Sequence, residues 1–180
     1  GVQQQGCAAL GNVCSGDDAA GRARKQCAAD AGAIEAAVAA MQAHPQVAEV
    51  QQQGFAALGN VCSGTDAARF ARIQRAADAG AIEAAVAAMR AHPQVARVQQ
   101  QGCLALCIVC CGTDAAGLAR KQRAADAGAI EAAVAALQAH PQVAIVQQQG
   151  CRALGNVCLG TDVAGLARKQ CAADAGGIEL

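Results

Sequence analysis

Four thiols, Cys103, Cys107, Cys110 and Cys111, crowd into one short segment and form the densest block of reactive side chains in the chain. On a helix they share roughly a 100° arc, and clustered thiolates are ligands for soft cations such as zinc or copper(I). One straight helix cannot wrap four ligands tetrahedrally around an ion, and no histidine or carboxylate stands where it would close the site. The expectation is no metal site and no cofactor, with a thiol-based metal or small-molecule site kept as an alternative. The remaining cysteines follow a pattern. Cys7, Cys103 and Cys151 share one repeat position and Cys14, Cys62, Cys110 and Cys158 another, as buried small hydrophobes would. Cys27 and Cys171 share a third position, held by Arg75 and Arg123 in the middle copies, and read as surface thiols open to oxidation. Eleven cysteines without a secretory signal argue for free thiols rather than a disulfide framework.

His44, His92 and His140 each precede a proline. They are expected to cap the N-terminus of the helix that follows, more than two helical turns from the thiol block of the third copy, which removes a Cys–His nucleophilic pair. No paired carboxylates, phosphate-cradling glycine loop or nucleophile elbow is present, so the chain reads as no enzyme, with no catalytic residues. Its 14 basic and 14 acidic residues cancel, which leaves neither an electrostatic footprint for nucleic acid nor a polybasic membrane surface. Phe55 and Phe70 are the only aromatic residues, so base-stacking platforms and interfacial belts are absent as well. With 54% apolar content, mostly alanine, and no long uncharged apolar run, the expectation is a cytoplasmic, intracellular protein with neither signal peptide nor transmembrane segment.

These residues have to be positioned by a repeated element. The string QQQG occurs at Gln3, Gln51, Gln99 and Gln147, a register of 48 residues. Residues 51–98 and 99–146 agree at 37 of 48 positions without insertion, a uniformity expected of recent duplication or of a consensus-type, engineered sequence. The register divides a single domain, 1–180, into a partial repeat 1–16, full repeats 17–64, 65–112 and 113–160, and a partial repeat 161–180. Each repeat reads as three helices. The first opens with Thr65 as hydroxyl N-cap and Asp66 in the positive first turn, and stops at Gly80. Next comes AIEAAVAAMRA, rich in strong helix formers, ending at His92 and Pro93. The third runs from Pro93 to Gly112, with Gly102 midway as a tolerated cost or a point of close packing. Helices that cannot bury their faces alone imply an all-α solenoid in which each repeat covers the next.

DAGAIEAAVAAM and QQQGFAALGNVCSG resemble the turn, second helix and third helix of the armadillo repeat family, and the resemblance covers essentially the whole chain. HEAT-like repeats are the close alternative for the fold. Two features depart from the armadillo pattern: the repeat is longer, and the groove tryptophan is replaced by Ala8, Ala56, Leu104 and Arg152. The resemblance implies a right-handed α-solenoid that binds an extended peptide or protein partner along the ladder of third helices. It further implies that the family's backbone-gripping asparagine falls on Asn12, Asn60 and Asn156, with Ile108 at the remaining position. Copying of a residue by the repeat is the bland alternative.

Positions that differ between copies point to something local. On a helical wheel centred on Cys103, the core face is Val95, Val98, Cys103, Leu106, Val109 and Cys110, while Arg97, Leu104, Cys107, Ile108 and Cys111 form a separate stripe. Leu104, Cys107, Ile108 and Cys111 replace Ala56, Gly59, Asn60 and Ser63, so a small polar face becomes apolar. Glu49, Arg97 and Ile145 share one position, and the fourth copy brings Arg152 and Leu159. The expected partner-binding groove thus has an apolar centre at Leu104, Ile108 and Leu159, with Arg97 and Arg152 for acidic groups. Repacking between third helices is the alternative. On the first helix of the second copy, Phe70 is expected in the core, with Arg69 and Ile73 on the surface. The rival function is a self-assembling homo-oligomer, joined through the apolar stripe or through the ends, where Val2 lies inside a third helix and GGIEL enters a second.

Overall fold

The structure is a computed structural model that describes residues 5–7, 9, 12, 14, 16 and 18–176. Ala8 and the terminal GIEL of the sequence reading lie outside the described residues. The described chain is all-helical. It runs through α1 (Ala19–Asp30), α2 (Ala33–Ala43), α3 (Ala48–Cys62), α4 (Arg69–Asp78), α5 (Ala81–Ala91), α6 (Ala96–Val109), α7 (Ala115–Asp126), α8 (Ala129–Ala139), α9 (Ala144–Val157) and α10 (Val163–Asp174). The third helices α3, α6 and α9 pack one upon the next, and each also packs on the second helix before it. The second helices α2, α5 and α8 likewise pack in succession, which is consistent with a helical repeat. Among the described residues no helix is long and apolar enough to cross a membrane.

Local chemistry sets where each helix starts. Asp18, Asp114 and Asp162 cap α1, α7 and α10, their carboxylates accepting from the amides of Gly21, Gly117 and Gly165 at 2.7, 2.9 and 2.9 Å. In these three copies the cap is the aspartate and not the residue before it, and in the second copy the N-cap is Ala68, which corrects the expected role of Thr65. The second copy departs because Arg69 stands where the others have glycine. A Cβ on Gly117 would lie 2.7 Å from the Gly112 carbonyl, so a side chain at this position cannot fit the capped turn. Accordingly α4 begins only at Arg69, and the Asp66 carboxylate turns to the Arg72 guanidinium at 2.8 Å. Two expectations for this helix are reversed, and each follows the position rather than the substitution: the counterparts of Ile73, Lys25 and Lys121, are buried, and Leu166, the counterpart of Phe70, is exposed. Phe70 is 49% exposed, with the Arg69 guanidinium carbon 5.4 Å above its ring, whereas Ile73 is fully buried.

The turn between first and second helices is made by Gly32, Gly80 and Gly128 in the left-handed region, at φ of 85°, 92° and 84°. The histidines also need correcting. His44, His92 and His140 are the C-caps of α2, α5 and α8, because a residue before proline is driven out of helical geometry. The third helices begin after Val47, Val95 and Val143 rather than at the proline. Orphan carbonyls at the end of each second helix are taken by the first glutamine of QQQG: Gln99 donates to Met89 at 2.9 Å and to His92 at 2.8 Å, and Gln51 and Gln147 do the same in their copies. Gly102 marks close packing. A Cβ there would lie 2.5 Å from Met89 Cγ, and the same squeeze occurs at Gly54 and Gly150.

The core is alanine, valine, isoleucine, leucine, methionine and cysteine with the single aromatic Phe55, and it runs continuously from Cys14 to Val157. Polar ties join successive copies. Buried Arg120 donates to the carbonyls of Val109 and Cys111 at the end of α6 and to the Gln74 amide oxygen of the preceding copy, and Arg72 and Arg168 repeat the pattern. The rings of His92 and His140 bond the carbonyls of Pro45 and Pro93, one copy back, at 2.8 and 2.9 Å.

Candidate binding face of the third helices

The core side of α6 is as the wheel places it: Val98, Cys103, Leu106, Val109 and Cys110 are buried, with Val95 partly so. The opposite stripe is graded. Arg97 is exposed, Leu104, Ile108 and Cys111 are half-buried, and Cys107 is buried beneath the neighbouring helix. On α9, Arg152 is exposed, Ile145 is 40% exposed and Leu159 is 45% exposed. Glu49, at the Arg97 position of α3, is exposed. One row therefore presents an acid, a base and an aliphatic side chain on three helices in turn.

The expected pocket at the third copy is filled from within. Ile108 Cδ1 lies over Gly59 of α3, 4.0 Å from where a Cβ would be. Between Leu58, Gly59, Cys62, Ala105, Ile108 and Val109 a void of about 10 Å³ remains, no more than one water could occupy. The site is thus a shallow apolar face flanked by guanidinium groups. The Arg152 guanidinium also reaches the Gln149 amide oxygen at 3.3 Å.

The asparagine positions separate. Asn12 is exposed and Asn60 half-buried. Asn156 Nδ2 donates to the Cys107 carbonyl and to Cys107 Sγ, both at 3.0 Å, so its donor group ties α9 to α6. The structure brings Cys107 and Asn156 together, a pairing the spacing in sequence did not reveal. A thiol in place of Gly59 and Gly155 was the available signal, because only here does a side chain at that position meet the asparagine of the next copy.

The cysteines are free thiols, and burial pushes those of Cys62, Cys103 and Cys110 up to about 12, so they stay protonated at neutral pH. Among the described residues no three histidine, cysteine or acidic side chains gather as a metal-binding group. Sequence reasoning missed the buried cations. Lys121 is fully buried, donates to the Cys110 carbonyl at 2.8 Å and also bonds the Gly112 carbonyl, and desolvation holds its ammonium below the usual lysine range. Arg72, Arg120 and Arg168 recur at one repeat position and all three are buried, but recurrence alone is no signal of burial, because Asp30, Asp78, Asp126 and Asp174 recur equally and are exposed.

Fold and face together define an all-helical protein of repeated packing whose copies differ along one outward row. No family model, curated protein or solved structure matches this chain.

Proposed function

We propose that the chain is a right-handed, armadillo-like α-solenoid of three-helix repeats, with a 48-residue period and copies of consensus type, that serves as a non-catalytic scaffold binding a peptide or protein partner. The partner lies across α3, α6 and α9. The observation that carries this reading is the coincidence of variation and exposure: Glu49, Arg97 and Ile145 differ from copy to copy and all three are exposed, while the glutamines, glycines and arginines that join helices are repeated and buried. Leu104, Ile108 and Leu159 supply apolar contact, and Arg97 and Arg152 supply charge. Half-buried Cys111 borders the apolar contact. Asn12 and Asn60 remain candidate contacts, whereas Asn156 and Cys107 act through the packing of α9 on α6.

The test is selection of displayed random peptides on the immobilised protein, followed by amide hydrogen exchange on the complex. Protection is expected on α3, α6 and α9, and Leu104→Ala with Ile108→Asn should weaken binding about tenfold, as loss of a central apolar contact does. Protection on other helices, or binding unchanged in the double variant, overturns the reading. Light scattering on parent and variant separates the rival: an oligomer that dissociates in the variant assigns the face to a second copy of the chain.

A further inference from the structure

Two kinds of guanidinium contact join the first helices to the copy before them. In one, Arg75 Nε donates to Glu35, and Arg123 grips Glu83 through Nε and Nη2 at 2.6 and 3.1 Å. In the other, Nη1 of Arg72, Arg120 and Arg168 donates to the amide oxygens of Gln26, Gln74 and Gln122 at 3.2, 2.6 and 2.9 Å. Each of these glutamines uses its own amide nitrogen on the aspartate four residues on, so its oxygen is the acceptor left for the guanidinium.

At the junction of α8 and α10 the first contact is broken. Cys171 takes the place of Arg75 and Arg123, and its thiol donates to Glu131 Oε1 at 3.3 Å. The short side chain does not fill the space of a guanidinium. Beside it lies an open crevice of about 490 Å³ lined by Glu131, Ala167, Gln170, Cys171, Asp174 and Ala175. Gln170 is the counterpart of Gln26, Gln74 and Gln122, and its amide nitrogen is likewise on Asp174 at 2.8 Å. Glu131 is thus the counterpart of the two carboxylates that accept guanidinium at the other junctions, and Gln170 and Asp174 line the crevice beside it. Burial and the hydrogen bond to Glu131 raise the Cys171 thiol above its ordinary value, so it stays protonated beside the carboxyl groups of Glu131 and Asp174. Arg90 lies against Gly128 nearby, yet among the described residues no cation forms an ion pair with Glu131 or Asp174.

We propose that the crevice between α8 and α10 binds a guanidinium group, as carried by an arginine side chain, with Glu131 as its principal acceptor and Asp174 and Gln170 completing the cradle. A planar fork of donors matches this set, whereas an ammonium would meet it as a point charge. The site is independent of the third-helix face.

The experiment is a titration followed by amide chemical shifts. The probes are N-acetylarginine methylamide, methylguanidinium, and the lysine and citrulline analogues of the first. Both guanidinium probes should give saturable shifts at residues 131, 170, 171 and 174, with a dissociation constant on the order of 10 mM, that of a partly exposed ion pair. If the arginine probe saturates and methylguanidinium does not, the site takes the side chain in its peptide setting. Lysine should bind about tenfold more weakly and citrulline should not shift the site. Cys171→Arg supplies the missing group from within, restores a contact made at two other junctions, and should abolish the titration; Glu131→Gln should abolish it too. Absence of saturation by both guanidinium probes, equal binding of the lysine analogue, or shifts that persist in Cys171→Arg would overturn the proposal.

Discussion

Asp66 shows how one substitution reassigns a residue. Released from capping by Arg69, its carboxylate accepts from both terminal nitrogens of Arg72, and that guanidinium holds its carboxyl below the usual range. A carboxyl with a lowered folded pKa adds stability above its unfolded value, and that stability is lost as pH falls through the lowered one. Asp66→Asn should therefore cost about 1 kcal/mol at pH 7, and the difference should vanish in acid once both forms are neutral. Urea unfolding at the two pH values measures it. Glycines offer a second contrast. Gly102→Ala places a methyl group against Met89 and should destabilise by about 1–3 kcal/mol, while Gly155→Ala meets nothing within 4 Å and should be neutral or stabilising by up to about 1 kcal/mol through helix propensity. Thermal unfolding of the pair separates crowding from propensity.

At the scale of elements, the middle of each helix was legible and the joints were not. Runs such as AIEAAVAAMRA carry a strong local preference, so α5 forms where the pattern places it. The joints depend on atoms remote in sequence. His92 was read as the start of a helix because its neighbour is proline, but its ring bonds the Pro45 carbonyl, and that contact exists only after the copies stack. Phe70 and Ile73 exchange places because residue type is a poor guide at these two positions: buried Lys25 and Lys121 hold the place of Ile73, and exposed Leu166 that of Phe70. On the candidate face, composition revealed the apolar stripe. It did not reveal that Ile108 closes the gap over Gly59, because the space between two helices is fixed by the smaller residue on the other side.

For the whole molecule, Arg120 is the kind of residue on which the stack depends. It serves two carbonyls at the end of α6 and an amide oxygen in the preceding copy while 3% exposed. Arg120→Met should cost about 3–5 kcal/mol, since removing a buried guanidinium orphans three acceptors. Hydrogen exchange should then show α4 to α6 and α7 to α9 opening separately, where the parent opens together. The ties share a further property. Of the side-chain hydrogen bonds described above, the widest bridges 49 residues, from Asn156 back to Cys107. Each of these ties joins one copy to the next, so each part they join takes its information from its immediate neighbour. Closing such loops costs the chain the same entropy however many copies are strung together, which keeps the search for the folded state short. Under tension from its two ends, a molecule tied in this way gives up its helices in sequential steps, each releasing a similar length of chain.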